Sequence, residues 1–226
     1  MTRTQIVEAL PWWWRADGGV DGSSATDLQR IRALAERTEG WLSDAQGVAL
    51  FQLARRPSPG QVLEIGSFCG KATLFLALGC KQQGGSVTHT VDPHKAISDG
   101  GKEQYAQNFQ PRVRGTLQDF QDTLDASGLR ALVDVHISTS EEARQRLREQ
   151  MFKLVFIDGS HDYLDVLLDY YMWKDAILPG GYLVFHDSNF DSVAQVIADH
   201  LDHKRFRADG IIGNGGWAMT MWCRQE

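Results

Sequence analysis

The stretch Val62-Leu-Glu-Ile-Gly66-Ser-Phe-Cys-Gly70-Lys-Ala-Thr-Leu-Phe-Leu-Ala-Leu-Gly79 decides the fold. A short apolar run ends beside an acid, two glycines follow four residues apart, and a second, longer apolar run begins at once. The first run has the length of a strand and the second that of a helix. A strand over Gln61–Ile65 and a helix from near Lys71 leave residues 66–70 as a βα turn. Such a turn lies at the carboxyl edge of a parallel sheet, where open α/β folds bind ligands. Gly66 lets the chain turn sharply, and Gly70 leaves room for a ligand against the backbone. A pyrophosphate site would show G-x-G-x-x-G, because the phosphates sit on bare helix-terminal amides. The third glycine is missing here, and Glu64 suits a cation better than a phosphate. The stretch therefore points to a nucleoside ligand that carries positive charge. The plainest alternative is that the two glycines only make a tight turn.

Outward from this unit the pattern repeats. Strands are expected at Ser86–Val91, Val133–Ser138, Leu154–Ile157 and Tyr182–Phe185, each followed by a helical segment. Near-continuous apolar strands of this kind suit a parallel sheet covered on both faces. Phe206–Ile212 and Trp217–Cys223, separated by GNGG, read as a hairpin after a helix over Ser192–His203. The predicted class is α/β: a Rossmann-like, doubly wound sheet, mostly parallel with an antiparallel last strand, helices on both faces. Upstream, Asp27–Glu39 carries Leu28, Ile31, Leu34 and Ala35 at helical spacing, and Ser43 caps a helix that runs to Arg56 and stops at PSPG. One domain over residues 1–226 is expected, with residues 1–56 as an N-terminal helical cap or lid. The long connection from Pro93 to Leu132 is of the kind that covers a ligand.

Composition narrows the partners. The 226 residues carry 29 acids against 23 bases, a net charge of −6, with no Lys/Arg block. That disfavours nucleic acid and anionic membrane surfaces. The three cysteines Cys69, Cys80 and Cys223 lack the paired spacing of a zinc site or a disulfide scaffold, which fits a reducing, cytoplasmic setting. Neither an apolar leader nor a membrane-spanning run is read from the sequence. Three consecutive indoles, Trp12 to Trp14, cannot all face one core, so at least one is expected at a lid, a substrate or a second subunit. A homo-oligomer stays open.

Three further strand ends carry polar residues. Asp92, in HTVDPH, stands where Rossmann-like sheets hold the hydroxyls of a ribose. FIDGSHDY and VFHDSNF end neighbouring strands, so Asp158, His161, Asp162, His186, Asp187 and Asn189 converge on one crevice. Three readings stay open there. Asp158 and Asp187, completed by Ser188 or Asn189 and water, suit Mg²⁺. His161 and His186 with one carboxylate suit a transition metal. Or the acids cap helices and the histidines pack.

LEIGSFCGKAT, VDPH, STSEEA, FIDGSHDY and LPGGYLVFHDSN, in that order and spacing, resemble the class I S-adenosylmethionine (SAM)-dependent methyltransferases. Within these they are most similar to small-molecule O-methyltransferases of the catechol and antibiotic-sugar types. The resemblance implies that Glu64, Gly66, Phe68 and Gly70 surround the methionine part of SAM. Ala72 stands where the catechol enzyme has a serine, so that Lys71 or Thr73 takes its contact. By the same resemblance Asp92 binds the ribose, and Ser140 and Glu141 hold the adenine. Asp158, Asp187 and Ser188 or Asn189 bind Mg²⁺, with Asp158 also beside SAM. His161 stands where the catechol enzyme keeps a general-base lysine. His186 is expected on the opposite side of its strand from Asp187 by alternation. The expected activity is methyl transfer to the hydroxyl of a small metabolite. Its rivals are a nucleotide-dependent oxidoreductase, a metal-dependent oxygenase and a SAM-binding regulatory or interaction protein without turnover.

Overall fold

A computed structural model of the chain describes residues 8–95, 115–213 and 217–226. Its strands are β1 (Gln61–Ile65), β2 (Thr88–Val91), β3 (Val133–His136), β4 (Phe152–Ile157), β5 (Ile177–Phe185), β6 (Phe206–Ile212) and β7 (Met219–Arg224). The α-helices among the described residues are α1 (Gly22–Arg37), α2 (Asp44–Ala54), α3 (Lys71–Gln83), α4 (Leu117–Ser127), α5 (Ser140–Arg146), α6 (Tyr163–Trp173) and α7 (Asp191–His200). All seven strands form one sheet in the order β3-β2-β1-β4-β5-β7-β6. The pairs from β3 to β5 are parallel. The last strand is antiparallel to both of its neighbours, because β7 is threaded between β5 and β6. The order reverses at β1, whose neighbours are β2 and β4, and this switch point is where doubly wound sheets open a crevice.

Alternation along the strands feeds two cores, one on each face of the sheet. Val62, Leu154 and Phe156 join Leu28, Ile31, Leu50, Phe51 and Phe75 of α1, α2 and α3 on one side. Leu63, Ile65, Val155 and Phe185 join Tyr170, Trp173 and Val193 of α6 and α7 on the other. Each such fully buried side chain stabilises the fold by about 1.5–3 kcal/mol. Glu64 follows Val62 in parity and is driven, wholly buried, into the α3 side. Ser43 begins α2 with a full capping box, reciprocated by Gln46.

Several boundaries differ from the sequence reading. α1 starts at Gly22 rather than Asp27, and β5 starts at Ile177 rather than Tyr182. The Leu-Pro-Gly-Gly ahead of the expected start is carried inside the strand, bulged and exposed at Pro179 and Gly180. Most of the connection after Pro93, and residues 214–216 of the hairpin turn, lie outside the described residues. Two of the three consecutive indoles pack locally. Trp13 Nε1 donates to Asp209 Oδ2 at 2.7 Å, and Trp14 Nε1 donates to Ala45 O, while Trp12 is 78% exposed. Ala9 pairs with Ile211 through two backbone hydrogen bonds and so covers part of edge strand β6. No described helix is long and apolar enough to cross a membrane.

Candidate active site at the carboxyl edge of the sheet

The first βα turn is built as its glycines require. Gly66 and Gly70 have φ of +84° and +90°, a region that residues with a Cβ rarely enter. A Cβ on Gly66 would stand 2.2 Å from the carbonyl oxygen of Asp158, so this glycine joins the β1 and β4 loops at backbone level. A Cβ on Gly70 would meet Phe120 at 3.2 Å and Thr123 at 3.3 Å. In place of the ligand expected there, α4 approaches Gly70. Between the glycines, Phe68 takes φ 47°, and its ring lies 5.6 Å from that of Trp41, which brings the N-terminal segment against the turn.

Two acids flank this loop. Asp92 is held by the backbone: Oδ2 accepts from Phe68 N at 2.8 Å and Oδ1 from His94 N at 2.7 Å. His94, which the sequence reading passed over, is buried against Phe120 and hydrogen-bonded to Thr116 Oγ1 at 2.8 Å. Glu64 Oε2 accepts from Thr73 Oγ1 at 2.5 Å. Thr73 is therefore committed to Glu64 and wholly buried, which corrects the expectation that it faces a ligand carboxylate. Lys71, the other candidate, donates from Nζ to Gly40 O at 3.1 Å. Glu64 Oε1 is buried with no hydrogen-bond partner. Burial pushes the Glu64 carboxyl up to about 8, against the Thr73 hydrogen bond and with added repulsion from Asp158 and Asp92. An unpartnered oxygen of this kind fits a cationic group of a ligand.

Ser140 opens α5, whose N-cap Thr139 forms a capping box with Glu142. Its hydroxyl accepts from Trp173 Nε1 at 2.7 Å and is hydrogen-bonded to the buried Asp169, a residue with no signal in sequence spacing. Burial pushes the Asp169 carboxyl up to about 7. Glu141 is exposed.

At the ends of β4 and β5 four titratable side chains converge. His161 Nε2 lies 2.7 Å from Asp187 Oδ2. His186 Nδ1 lies 3.1 Å from Asp158 Oδ1 and 3.2 Å from Asp187 Oδ2. His186 therefore faces both aspartates, contrary to the alternation argument. The cause is Asp187, whose φ of 49° takes the chain out of the extended region immediately after His186 and turns its carboxylate back onto the ring. Burial alone pushes the His186 imidazolium down, but Asp158 and Asp187 outweigh it and hold its pKa at about 10. Burial pushes the Asp187 carboxyl up, but His161 and His186 outweigh it and hold it below the usual carboxylate range. Asp187 Oδ1 remains buried without a hydrogen bond.

Ser188 and Asn189 serve another purpose than the one expected. Ser188 donates from both N and Oγ to Ala218 O at 2.9 Å, and Asn189 Oδ1 accepts from Ala218 N at 2.9 Å. Among the described residues here, those whose ligand atoms come close enough together to hold a metal ion are Asp158, His161 and Asp187.

Residues 63–188, more than half of the chain, match the family described as "Methyltransferase domain". The chain belongs to this methyltransferase family. The methyltransferase also matches solved structures over nearly its whole length. One is an O-methyltransferase from Bacillus cereus in complex with S-adenosylhomocysteine (SAH), at 16% identity, covering 91% of this chain and 93% of that one, TM-score 0.58. Another is the O-methyltransferase TomG from Streptomyces achromogenes in complex with SAM, at 18% identity, covering 92% and 91%, TM-score 0.58. The O-methyltransferase NovP matches at 12% identity, covering 90% and 100%, TM-score 0.67. At these identities the likeness is one of fold.

Proposed function

We propose that this methyltransferase transfers the methyl group of SAM to a hydroxyl of a small molecule, aided by Mg²⁺. The observation that carries the reading is the buried, unpartnered oxygen of Glu64, set between the glycine turn and the Asp158–Asp187 cluster. It suits the ammonium of the methionine part of SAM. The similar structures solved with SAM or SAH support the same cofactor.

SAM supplies, when bound, a methyl group already activated on a sulfonium. The residues of the chain then have two tasks: to orient the acceptor oxygen and to take its proton. Asp92 would receive the ribose hydroxyls on the lone pairs its two amides leave over. Ser140, with its hydroxyl engaged by Trp173 and Asp169, would stand with Glu141 at the adenine. His161, oriented by Asp187, would accept the proton of the acceptor hydroxyl. Asp158 and the open Oδ1 of Asp187 fit a hard divalent ion, which would lower the pKa of the acceptor oxygen beside it. Residues 1–56 would form a cap, with Trp41 lying on Phe68 at the cofactor's entrance.

One observation favours a metal-free form of the same reaction. The His186 imidazolium already neutralises part of the Asp158–Asp187 pair. Calorimetric titration with SAM and SAH tests the cofactor, and the expected outcome is binding of both. Methyl transfer in excess chelator then separates the two forms: loss restored by added Mg²⁺ supports the ion, and full activity supports His186 as the resident cation. Binding of neither SAM nor SAH would overturn the whole reading.

A further inference from the structure

Away from the crevice, on the outer strands of the sheet, lies a second cluster of ligating side chains. His89 on β2 stands in register with Asp134 on β3, and His136 follows two residues along the same strand. Parity therefore puts all three on one face. That face is the one covered by the second core, where the His89 ring meets Phe152 edge-on at 5.8 Å. The His89 and His136 rings are stacked, with centroids 5.4 Å apart.

Three ligating atoms meet in a nearly equilateral triangle. His89 Nδ1 and His136 Nε2 are 3.2 Å apart, and Asp134 Oδ2 lies 3.2 Å from the first and 3.4 Å from the second. Hydrogen bonding can satisfy this triangle when each neutral imidazole donates its N–H to the Asp134 oxygen. In the other tautomer of each ring the protons sit on the far nitrogens, and three lone pairs then point to one centre. Burial pushes both rings below the ordinary histidine range, against the pull of Asp134 and, at His136, with Arg146 adding to it. A cation at the centre satisfies all three atoms together. Ligands about 2.0–2.1 Å from a tetrahedral Zn²⁺ are about 3.3 Å from one another. The triangle has that edge length.

We propose that His89, Asp134 and His136 bind a divalent transition ion, best matched by Zn²⁺, with the fourth position left to water. Two imidazoles and one carboxylate favour such an ion over Mg²⁺ or Ca²⁺. The Asp134 side chain is 54% exposed on edge strand β3, so an ion reaches the site from solvent without passing through the crevice.

The test is Zn²⁺ uptake by the full chain, stripped with chelator, followed by equilibrium dialysis and elemental analysis. It is run on the wild type and on Asp187→Asn, which disables the crevice. Asp187→Asn is expected to retain one equivalent of Zn²⁺. His136→Gln and Asp134→Asn should each weaken that binding by more than the roughly 10–100-fold that loss of an outer-shell partner costs. Co²⁺ in place of Zn²⁺ should give the intense visible bands of a tetrahedral ion, lost in the same two variants. Asp134→Asn changes a largely exposed side chain and keeps the test alive if His136→Gln does not fold. No Zn²⁺ uptake by Asp187→Asn, or undiminished uptake by either edge variant, would overturn the proposal.

Discussion

At the β1–β2 end of the crevice, carboxylates are held by backbone amides and a hydroxyl: Asp92 by Phe68 N and His94 N, Glu64 by Thr73. At the β4–β5 end they are held by imidazoles: Asp187 by His161 and His186, Asp158 by His186. The first arrangement is held in place by chain conformation, and a cation brought alongside exchanges only with the proton on Glu64. The second is an electrostatic balance that shifts when a proton or a cation enters. Binding one fixed ligand suits the former, and moving a proton from an acceptor suits the latter.

The division can be broken most readily at His161. Its replacement by Ala should lower kcat by roughly 10²–10⁴-fold, the range for a positioned general base, and leave SAH affinity unchanged. A parallel loss of SAH affinity in the calorimeter would show that the two ends are not separate. Gly66→Ala strikes where they touch. Its Cβ would overlap the Asp158 carbonyl, and the positive φ alone costs about 1–3 kcal/mol, with a similar cost for the overlap. The midpoint of denaturant unfolding should fall accordingly, and an unchanged midpoint would mean that the β4 loop yields. Asp92→Ala should weaken SAM binding by about 1–3 kcal/mol while kcat at saturation changes little. A kcat loss larger than the affinity loss would move Asp92 into the chemical half.

The smallest effect is a proton count at Glu64. Its raised pKa means that the folded protein carries a proton there near neutrality, and an ammonium brought alongside should expel it. Titrations with SAM at pH 7, in buffers of different ionisation enthalpy, should report release of up to about one proton, lost in Glu64→Gln. Release that persists in that variant would assign the proton elsewhere. The same shift has a sign in stability. Because the folded pKa of about 8 lies above the ordinary 4.5 of a glutamate, the stabilisation is complete below 4.5 and is lost as pH rises through 8. Glu64→Gln should therefore flatten the decline of Tm across that window.

What is local along the chain is legible in the sequence. The strand-turn-helix at residues 61–83, the Ser43 cap and the hairpin pairing of β6 with β7 all follow from spacing, capping and turn residues. The insertion of β7 beside β5 is not local, since Cys223 meets Tyr182 across a helix and another strand. The site divides in the same way. Glu64, Asp92, Asp158 and Asp187 are all found at strand ends, as parity and fold class dictate. Their pairings are not so dictated, because Thr73 reaches Glu64 through space and the loop conformation decides which imidazole meets which aspartate. His186 defeats the alternation argument because alternation holds only while the chain stays extended, and Asp187 ends that extension. Asp169 behind Ser140 has no sequence signal, being one acid among several on α6.

Three hydrogen bonds join Ser188 and Asn189 to Ala218, the residue just before β7. The loop that carries Asp187 is thus clasped by a segment 30 residues further along the chain. As the chain leaves the ribosome, residues 61–185 can assemble most of the sheet early. The clasp on the loop that follows Asp187 closes only after Ala218 has emerged. Nascent chains that stop short of this point would be rich in secondary structure, yet would lack the three hydrogen bonds that hold the Asp187 loop.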